Sequence, residues 1–409
     1  MRNRSVVAFL VAAGATSTAS AASVIALGKL VYDRTGDALD LGWLGLAEFA
    51  PAALLVLVTG SVADRHDRRR IVALAAASEA VAIGVLATLA NDSDGGLGPI
   101  FTLVVALGIC RAFMAPAARA IPSDIVDTAD LPWLVARFSI TWQIASIVGP
   151  VLGGFAYAVD PVAPFLLVAA LLGLGSGAIL FVDPSHTRRH HDELTPPSLH
   201  DAFEGLRFIR QRPVLLGAIS LDLFAVLFGG AVALLPAIAD ERLGVGAVGL
   251  GWLRAAVGIG AGVATAVLSM RPLQRAIGRT LLRTVAVFGF FTIVLGLTTN
   301  YVVAFIALAL LSGADAVSVY IRATLVPLAT PPDRRGRVLA VENVFIGASN
   351  ELGAFESGVA AKLVGTTGAV VSGGVATLAI AIVWWFAFPA LRNLDGFPDP
   401  VAETVGGTG

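Results

Sequence analysis

Apolar positions gather in twelve stretches of about 18–25 residues, the length that carries a helix across ~30 Å of hydrocarbon at 1.5 Å per residue. The first six fall at 6–32, 41–62, 71–90, 98–115, 133–158 and 163–182. The second six fall at 214–238, 249–268, 281–298, 301–325, 338–362 and 367–389. Inside a bilayer the backbone has no water to bond, so only helices and closed barrels cross it. Barrel strands are about ten residues long and alternate in polarity, and these stretches do neither. The pattern predicts an all-α integral membrane protein with twelve transmembrane helices in two pseudo-symmetric six-helix bundles.

Between the two groups lies the longest polar stretch, 183–213, with Pro184, Pro196, Pro197 and Pro213. Within it Leu199, Phe203, Leu206 and Ile209 recur at helical spacing, which predicts a short amphipathic helix from Ser198 to Gln211 at the membrane surface. The expected organisation is an N-terminal bundle over 1–182, a cytoplasmic linker over 183–213, a C-terminal bundle over 214–394 and a disordered cytoplasmic tail over 395–409. The start, Met1-Arg2-Asn3-Arg4 followed by apolar residues and Ala19-Ser20-Ala21, has the outline of a cleavable signal peptide. The apolar pattern runs on past that point to Tyr32, so the segment reads as a full span.

Composition agrees. With 56% hydrophobic and 14% charged residues, the chain has too little charge to cover a soluble surface. A net charge of −1 and the lack of a basic domain argue against nucleic acid as a partner. Cys110 is the sole cysteine, which excludes an internal disulfide and a cysteine-based metal cluster. The arginines are distributed very unevenly. Arg2, Arg4, Arg65, Arg68, Arg69, Arg70, Arg119, Arg188, Arg189, Arg207, Arg210, Arg212, Arg271, Arg275, Arg279, Arg283, Arg334, Arg335, Arg337 and Arg392 lie on one side, against Arg34, Arg242 and Lys362 on the other. By the positive-inside rule, both termini are expected in the cytoplasm of a cell-membrane protein.

The halves also repeat each other. Leu41-Gly42-Trp43-Leu44 recurs as Leu250-Gly251-Trp252-Leu253, and Asp33-Arg34-Thr35-Gly36 is matched by Glu241-Arg242-Leu243-Gly244. Gly149 and Gly154 in the fifth span correspond to Gly353 and Gly358 in the eleventh. Duplicated bundles of this kind place a binding site between the repeats near the bilayer midplane.

Three motifs suggest a mechanism. Gly60-Ser61-Val62-Ala63-Asp64-Arg65-His66-Asp67-Arg68-Arg69-Arg70 joins spans two and three. Gly60, Asp64, Arg65 and Arg68 read as a conformational latch, in which arginines pair with carboxylates on neighbouring spans. In span five, Gly149-Pro150-Val151-Leu152-Gly153-Gly154 reads as a hinge or tight-packing site at Gly149, Pro150, Gly153 and Gly154. The eleventh span carries Phe345-Ile346-Gly347-Ala348-Ser349-Asn350-Glu351-Leu352-Gly353-Ala354-Phe355-Glu356-Ser357-Gly358.

The loop between spans two and three resembles the signature of the major facilitator superfamily, with Asp67 where many relatives have glycine. The span-five run is similar to the end of a motif of its antiporter branches, although Ala136 and Ala145 stand where that motif has glycines. The eleventh span, with Ala47-Glu48-Phe49, Leu221-Asp222-Leu223-Phe224 and Ala314-Asp315-Ala316, resembles the enterobactin-exporter branch over nearly the whole chain. The resemblance implies a secondary active transporter working by alternating access, a proton-coupled exporter of a siderophore-like or amphipathic small organic molecule.

Ionisable residues within spans are costly and usually face a cavity or a partner. Asp222, Asp315 and Glu356 are the candidates for proton coupling or substrate contact, with Glu48 and Arg254 as partners and Asn350 as a cavity-lining residue. Arg111, Glu79, Arg137, Arg322 and Glu342 read as lying toward the cytoplasm, at the interface or in the latch. Lys29, near the opposite end of span one, can snorkel. His186, His190, His191 and His200 fall in or beside the linker, where a solvated segment is expected and no metal. Gly28-Lys29 is followed by leucine within a span, so no phosphate loop is present and no cofactor is expected. The expected partners are a small-molecule substrate, protons and membrane lipids, with the protein a monomer. A broad multidrug efflux pump, a lipid or solute importer, and a transporter-shaped sensor or intramembrane enzyme are the competing readings. The histidines lie outside the spans, which counts against an enzyme.

Overall fold

The computed structural model describes residues 2–91, 96–183 and 199–398, and among them there is no strand. Linker residues Pro184, His186, Arg188, Arg189, His190, His191, Asp192, Glu193, Pro196 and Pro197 lie outside the described residues, as does tail segment 399–409.

The chain divides into two compact units, 1–196 with 235–258, and 197–234 with 259–409. The first contains α1 (Arg2–Thr35), α2 (Ala38–Arg65), α3 (Arg68–Ala90), α4 (Leu97–Ile125), α5 (Leu131–Val159) and α6 (Ala163–Ile179). The second begins with α7 (Leu199–Gln211) and α8 (Pro213–Phe228), followed by a 3₁₀ turn at Ala231–Leu234. The chain then returns to the first unit through α9 (Leu235–Ala237), a π-helical turn at Ile238–Arg242 and the first half of α10 (Ala247–Met270). The second unit is completed by α11 (Ile277–Leu297), α12 (Tyr301–Leu328), α13 (Pro332–Ala387) and α14 (Pro389–Arg392).

Nine of these helices, and the composite segment Pro213–Arg242 from α8 to the π-helical turn, are long and apolar enough to cross a membrane, and α6 is a shorter apolar helix of 17 residues. The 56-residue α13 contains a break at Gly365, whose φ of 78° only glycine adopts without strain. Spans 338–362 and 367–389 fall on its two sides. The repeat is visible in the backbone as well. Gly36 and Gly244, matched in sequence, both take φ 59°. Each ends its helical segment with a residue in the left-handed region.

Side-chain oxygens set several helix starts. Asp37 accepts from Leu39 N, Asp67 from Arg69 N, and Asn300 from both Val302 N and Val303 N. In the first unit α1 packs on α5 and α6, and α3 on α4 and α6. Phe165, Leu172, Ile83, Leu86, Ile100 and Leu107 are fully buried there. In the second unit α11 packs on α12 and α13, and α8 on α13. The helix predicted in the linker is α7, and it docks on α13 through Phe208 and Ile209 against Val338 and Val341, while Phe203 stays exposed. Asp395, expected in the tail, caps α11. Its carboxylate accepts from Ala276 N at 3.0 Å and its carbonyl from Ile277 N at 3.1 Å.

Candidate functional site

The second unit holds a buried charge cluster. Arg322, on α12, donates to Asp222 of α8 at 2.6 Å and lies 4.0 Å from Glu342 of α13. All three side chains are more than nine-tenths buried. Asp315, two turns before Arg322, shares with Asp222 a small cavity of about 10 Å³ walled by Val226, Thr284, Val285 and Phe288. That is room for about one water molecule. Two carboxyl groups thus flank one guanidinium, whose Nε has no hydrogen-bond partner, and a third, Asp315, lines the cavity beside Asp222. With every group ionised, the three acids and one arginine leave two negative charges uncompensated.

The first unit has a cluster of the same kind. Arg111, at the middle of α4, hydrogen-bonds Glu48 of α2, donates through Nε to Glu79 of α3 at 2.8 Å, and reaches Ser23 of α1 at 2.8 Å. Glu79 is fully buried and its Oε2 has no partner. The partner of Glu48 is therefore Arg111. Arg254 lies on α10 in the same unit as Glu48, and Glu356 and Asn350 lie on α13. Asn350 is exposed and donates to Ile346 O of its own helix at 2.8 Å. Glu356 is half-buried, and no described contact joins it to the Arg322 cluster.

The loop after α2 forms an ion-pair network. Arg68 binds both oxygens of Asp124, at the end of α4, at 2.9 and 3.0 Å, and is 3.6 Å from Asp64. Arg69 pairs with Asp67 at 2.8 Å. Burial pushes the Asp67 carboxyl up, but the hydrogen bond and charge of Arg69 outweigh it and hold the group below its ordinary 3.8. A Cβ at Gly60 would meet nothing within 4 Å, so no neighbouring atom requires glycine there.

Glycines of α5 do serve packing. A Cβ at Gly149 would lie 2.7 Å from Thr18 O, one at Gly153 2.9 Å from Ala22 O, and one at Gly154 2.4 Å from Ala247 O. Helix α5 runs unbroken through Pro150. At the end of α1 away from the arginine-rich loops, Tyr32 donates to Glu241 and Lys29 pairs with Asp33. Asp240 lies 3.7 Å from Lys29, and Tyr157 donates to Asp33 at 3.0 Å.

A family model of the Major Facilitator Superfamily matches residues 5–299. The chain belongs to the major facilitator superfamily. It is a multi-span membrane transporter and not an enzyme. It is similar to the multidrug efflux pump Tap of Mycobacterium tuberculosis (strain ATCC 25618 / H37Rv), 27% identical over 391 residues that cover 92% of this chain and 91% of Tap. It is also similar to the enterobactin exporter EntS of Escherichia coli O6:K15:H31 (strain 536 / UPEC), 24% identical over 367 residues, with 85% and 83% covered. Among solved structures, the fold matches a bacterial homolog to the human lysosomal transporter Spinster in its inward-facing, unoccupied conformation. The TM-score is 0.72 at 14% identity, covering 96% of each chain. A POT family transporter in complex with 5-aminolevulinic acid matches with a TM-score of 0.73 at 12% identity, covering 94% of this chain and 96% of that one.

Proposed function

We propose that this protein is a proton-driven exporter of an amphipathic small organic molecule, with Asp222 and Asp315 as its proton-carrying pair. The observation that carries the reading is the pairing of Asp222 and Glu342 with the single guanidinium of Arg322, with Asp315 on the cavity that Asp222 also lines. A buried cluster with more acids than bases changes its charge by taking up or releasing a proton, and that change alters what the helices prefer as neighbours. Export rather than import is supported by the similarity to Tap and EntS, one a multidrug efflux pump and the other an enterobactin exporter. The arginine-rich loops support a cell membrane with both termini cytoplasmic. The repeat supports two six-helix halves that rock about a midplane site, in a monomer, with Glu356, Arg254 and Asn350 as further candidates for cargo contact and the Arg68–Asp124 pair as a latch.

The test uses everted membrane vesicles energised with a pH gradient and offered catecholate ligands and cationic dyes. Gradient-dependent accumulation of either class is the expected result, and accumulation that ignores the gradient overturns the coupling. Dyes without catecholates would mark a multidrug pump, the reading favoured by the 27% identity to Tap over almost the full chain. Asp222→Asn and Asp315→Asn should abolish gradient-driven uptake; normal uptake in both overturns the assignment of the proton.

A further inference from the structure

Helices α1 and α6 leave a groove of about 810 Å³ along their shared edge, lined by Arg4, Val7, Ala8 and Val11 on one side and by Gly173, Leu174, Gly177, Ala178 and Phe181 on the other. The walls are exposed. Val7, Val11, Leu174 and Phe181 are 53%, 44%, 54% and 63% exposed. The floor is open because of two glycines one turn apart. A Cβ at Gly173 or at Gly177 would meet no atom within 4 Å. Gly175, between them, faces the other way, where its Cβ would come within 2.6 Å of Thr16. Helix packing therefore accounts for Gly175 and not for its neighbours, although each glycine inside a helix is unfavourable relative to alanine. The trough they leave is apolar along its length and polar at one end. Arg4 sits at that end, exposed and in no ion pair among the described residues, and the first turn of α1 carries no acidic residue. Apolar walls with an arginine at the mouth complement one kind of bilayer component, an acyl chain bearing an anionic headgroup.

We propose that this groove holds one anionic phospholipid, its chain on Gly173 and Gly177 between Val7, Val11, Leu174 and Phe181, and its phosphate on Arg4. The site belongs to one unit and is independent of the charge clusters, so it stands or falls apart from the transport reading.

The test starts from full-length protein purified in micelles containing equal amounts of phosphatidylglycerol and phosphatidylcholine, with retained lipid read by native mass spectrometry. Wild type should keep one phosphatidylglycerol with about fivefold preference, the worth of one arginine at an anionic surface. Arg4→Gln should bring the two lipids to parity. Gly177→Leu fills the floor at an open position and should lose the bound lipid of either headgroup; Gly173→Leu repeats the test should that variant fold poorly. No preference in wild type, or an unchanged preference in Arg4→Gln, overturns the proposal, as does full retention in both glycine variants.

Discussion

Replacing Arg322 with glutamine would remove the only guanidinium from a cluster of three acids. Arg322 is 4% exposed, Asp222 and Glu342 are 7% and 8% exposed at their side chains, and their contacts to it are 2.6 and 4.0 Å. Deleting one partner of a buried pair leaves the other charge without compensation and typically costs about 3–5 kcal/mol. One kcal/mol moves the melting temperature of a 150–250-residue domain by roughly 2–4 °C, so Arg322→Gln should melt on the order of 10 °C below wild type. Asp222→Asn/Arg322→Gln removes both halves of the 2.6 Å pair and should recover most of that loss, since two neutral amides can bond each other. Melting of the purified protein in one detergent at fixed pH, across wild type, both single variants and the double, gives the coupling energy directly. If Arg322→Gln melts within a degree of wild type, or if the double variant is no better than the single, the cluster is not the buried electrostatic unit described above. Vesicle uptake separates stability from function: the rescued double variant should fold yet carry no gradient-driven flux.

Arg111→Gln should lower melting by a similar amount, about 3–5 kcal/mol, because Glu48 and Glu79 lose their shared cation. Gly154→Val should cost about 1–3 kcal/mol by thermal melting, given the 2.4 Å from its Cβ to Ala247 O, whereas Gly60→Ala should be neutral or stabilising by up to about 1 kcal/mol. Asp67 has its folded carboxyl below the ordinary 3.8, so its contribution is full above that value and lost as pH falls below it. Hydrogen-exchange protection over residues 64–72, relative to the intrinsic rate at each pH, should fall in wild type on acidification below about pH 4, and Asp67→Asn should be less protected at neutral pH with a shallower acid dependence. Asp395→Ala should cost about 0.5–2 kcal/mol, read by melting, through loss of the cap on α11.

The spans were legible because a bilayer permits so few structures, and the repeat because Gly36 and Gly244 keep both their sequence context and their backbone angle. The ion-pair geometry was much less so. The hydropathy pattern ends span four at 115, before Pro116 and Arg119, and so puts Arg111 near the cytoplasmic end. In the structure α4 continues through Pro116 and Pro122 to Ile125, which leaves Arg111 at its middle. Proline is tolerated within membrane helices because neighbours re-satisfy the freed carbonyl, so it is a weaker stop signal there than in water. Span ten likewise runs past 325 to Leu328, and Arg322, six residues from that end, is buried against Asp222. The contact from Arg68 to Asp124 joins residues 56 apart in sequence, and no local pattern announces it.

Correctly placed, the two arginines extend the duplication. Arg111 lies on the fourth helix of the first half and Arg322 on the tenth span, its counterpart, 211 residues later by number, close to the offset of the Leu41-Gly42-Trp43-Leu44 repeat. Each reaches the first span of its own half, Arg111 to Ser23 and Arg322 to Asp222, and each is buried against acids from other helices. The difference between them lies in that first-span partner. A serine hydroxyl stays neutral at any physiological pH, whereas an aspartate can change charge. Asp315 adds a second acid from the arginine's own helix, for which the contacts of Arg111 show no equivalent among the described residues. Arg111 thus stands among two acids and a serine, whereas Arg322 has aspartate in the serine's place and Asp315 on its own helix; this contrast supports the proposal that Asp222 and Asp315, rather than Glu48, carry the proton.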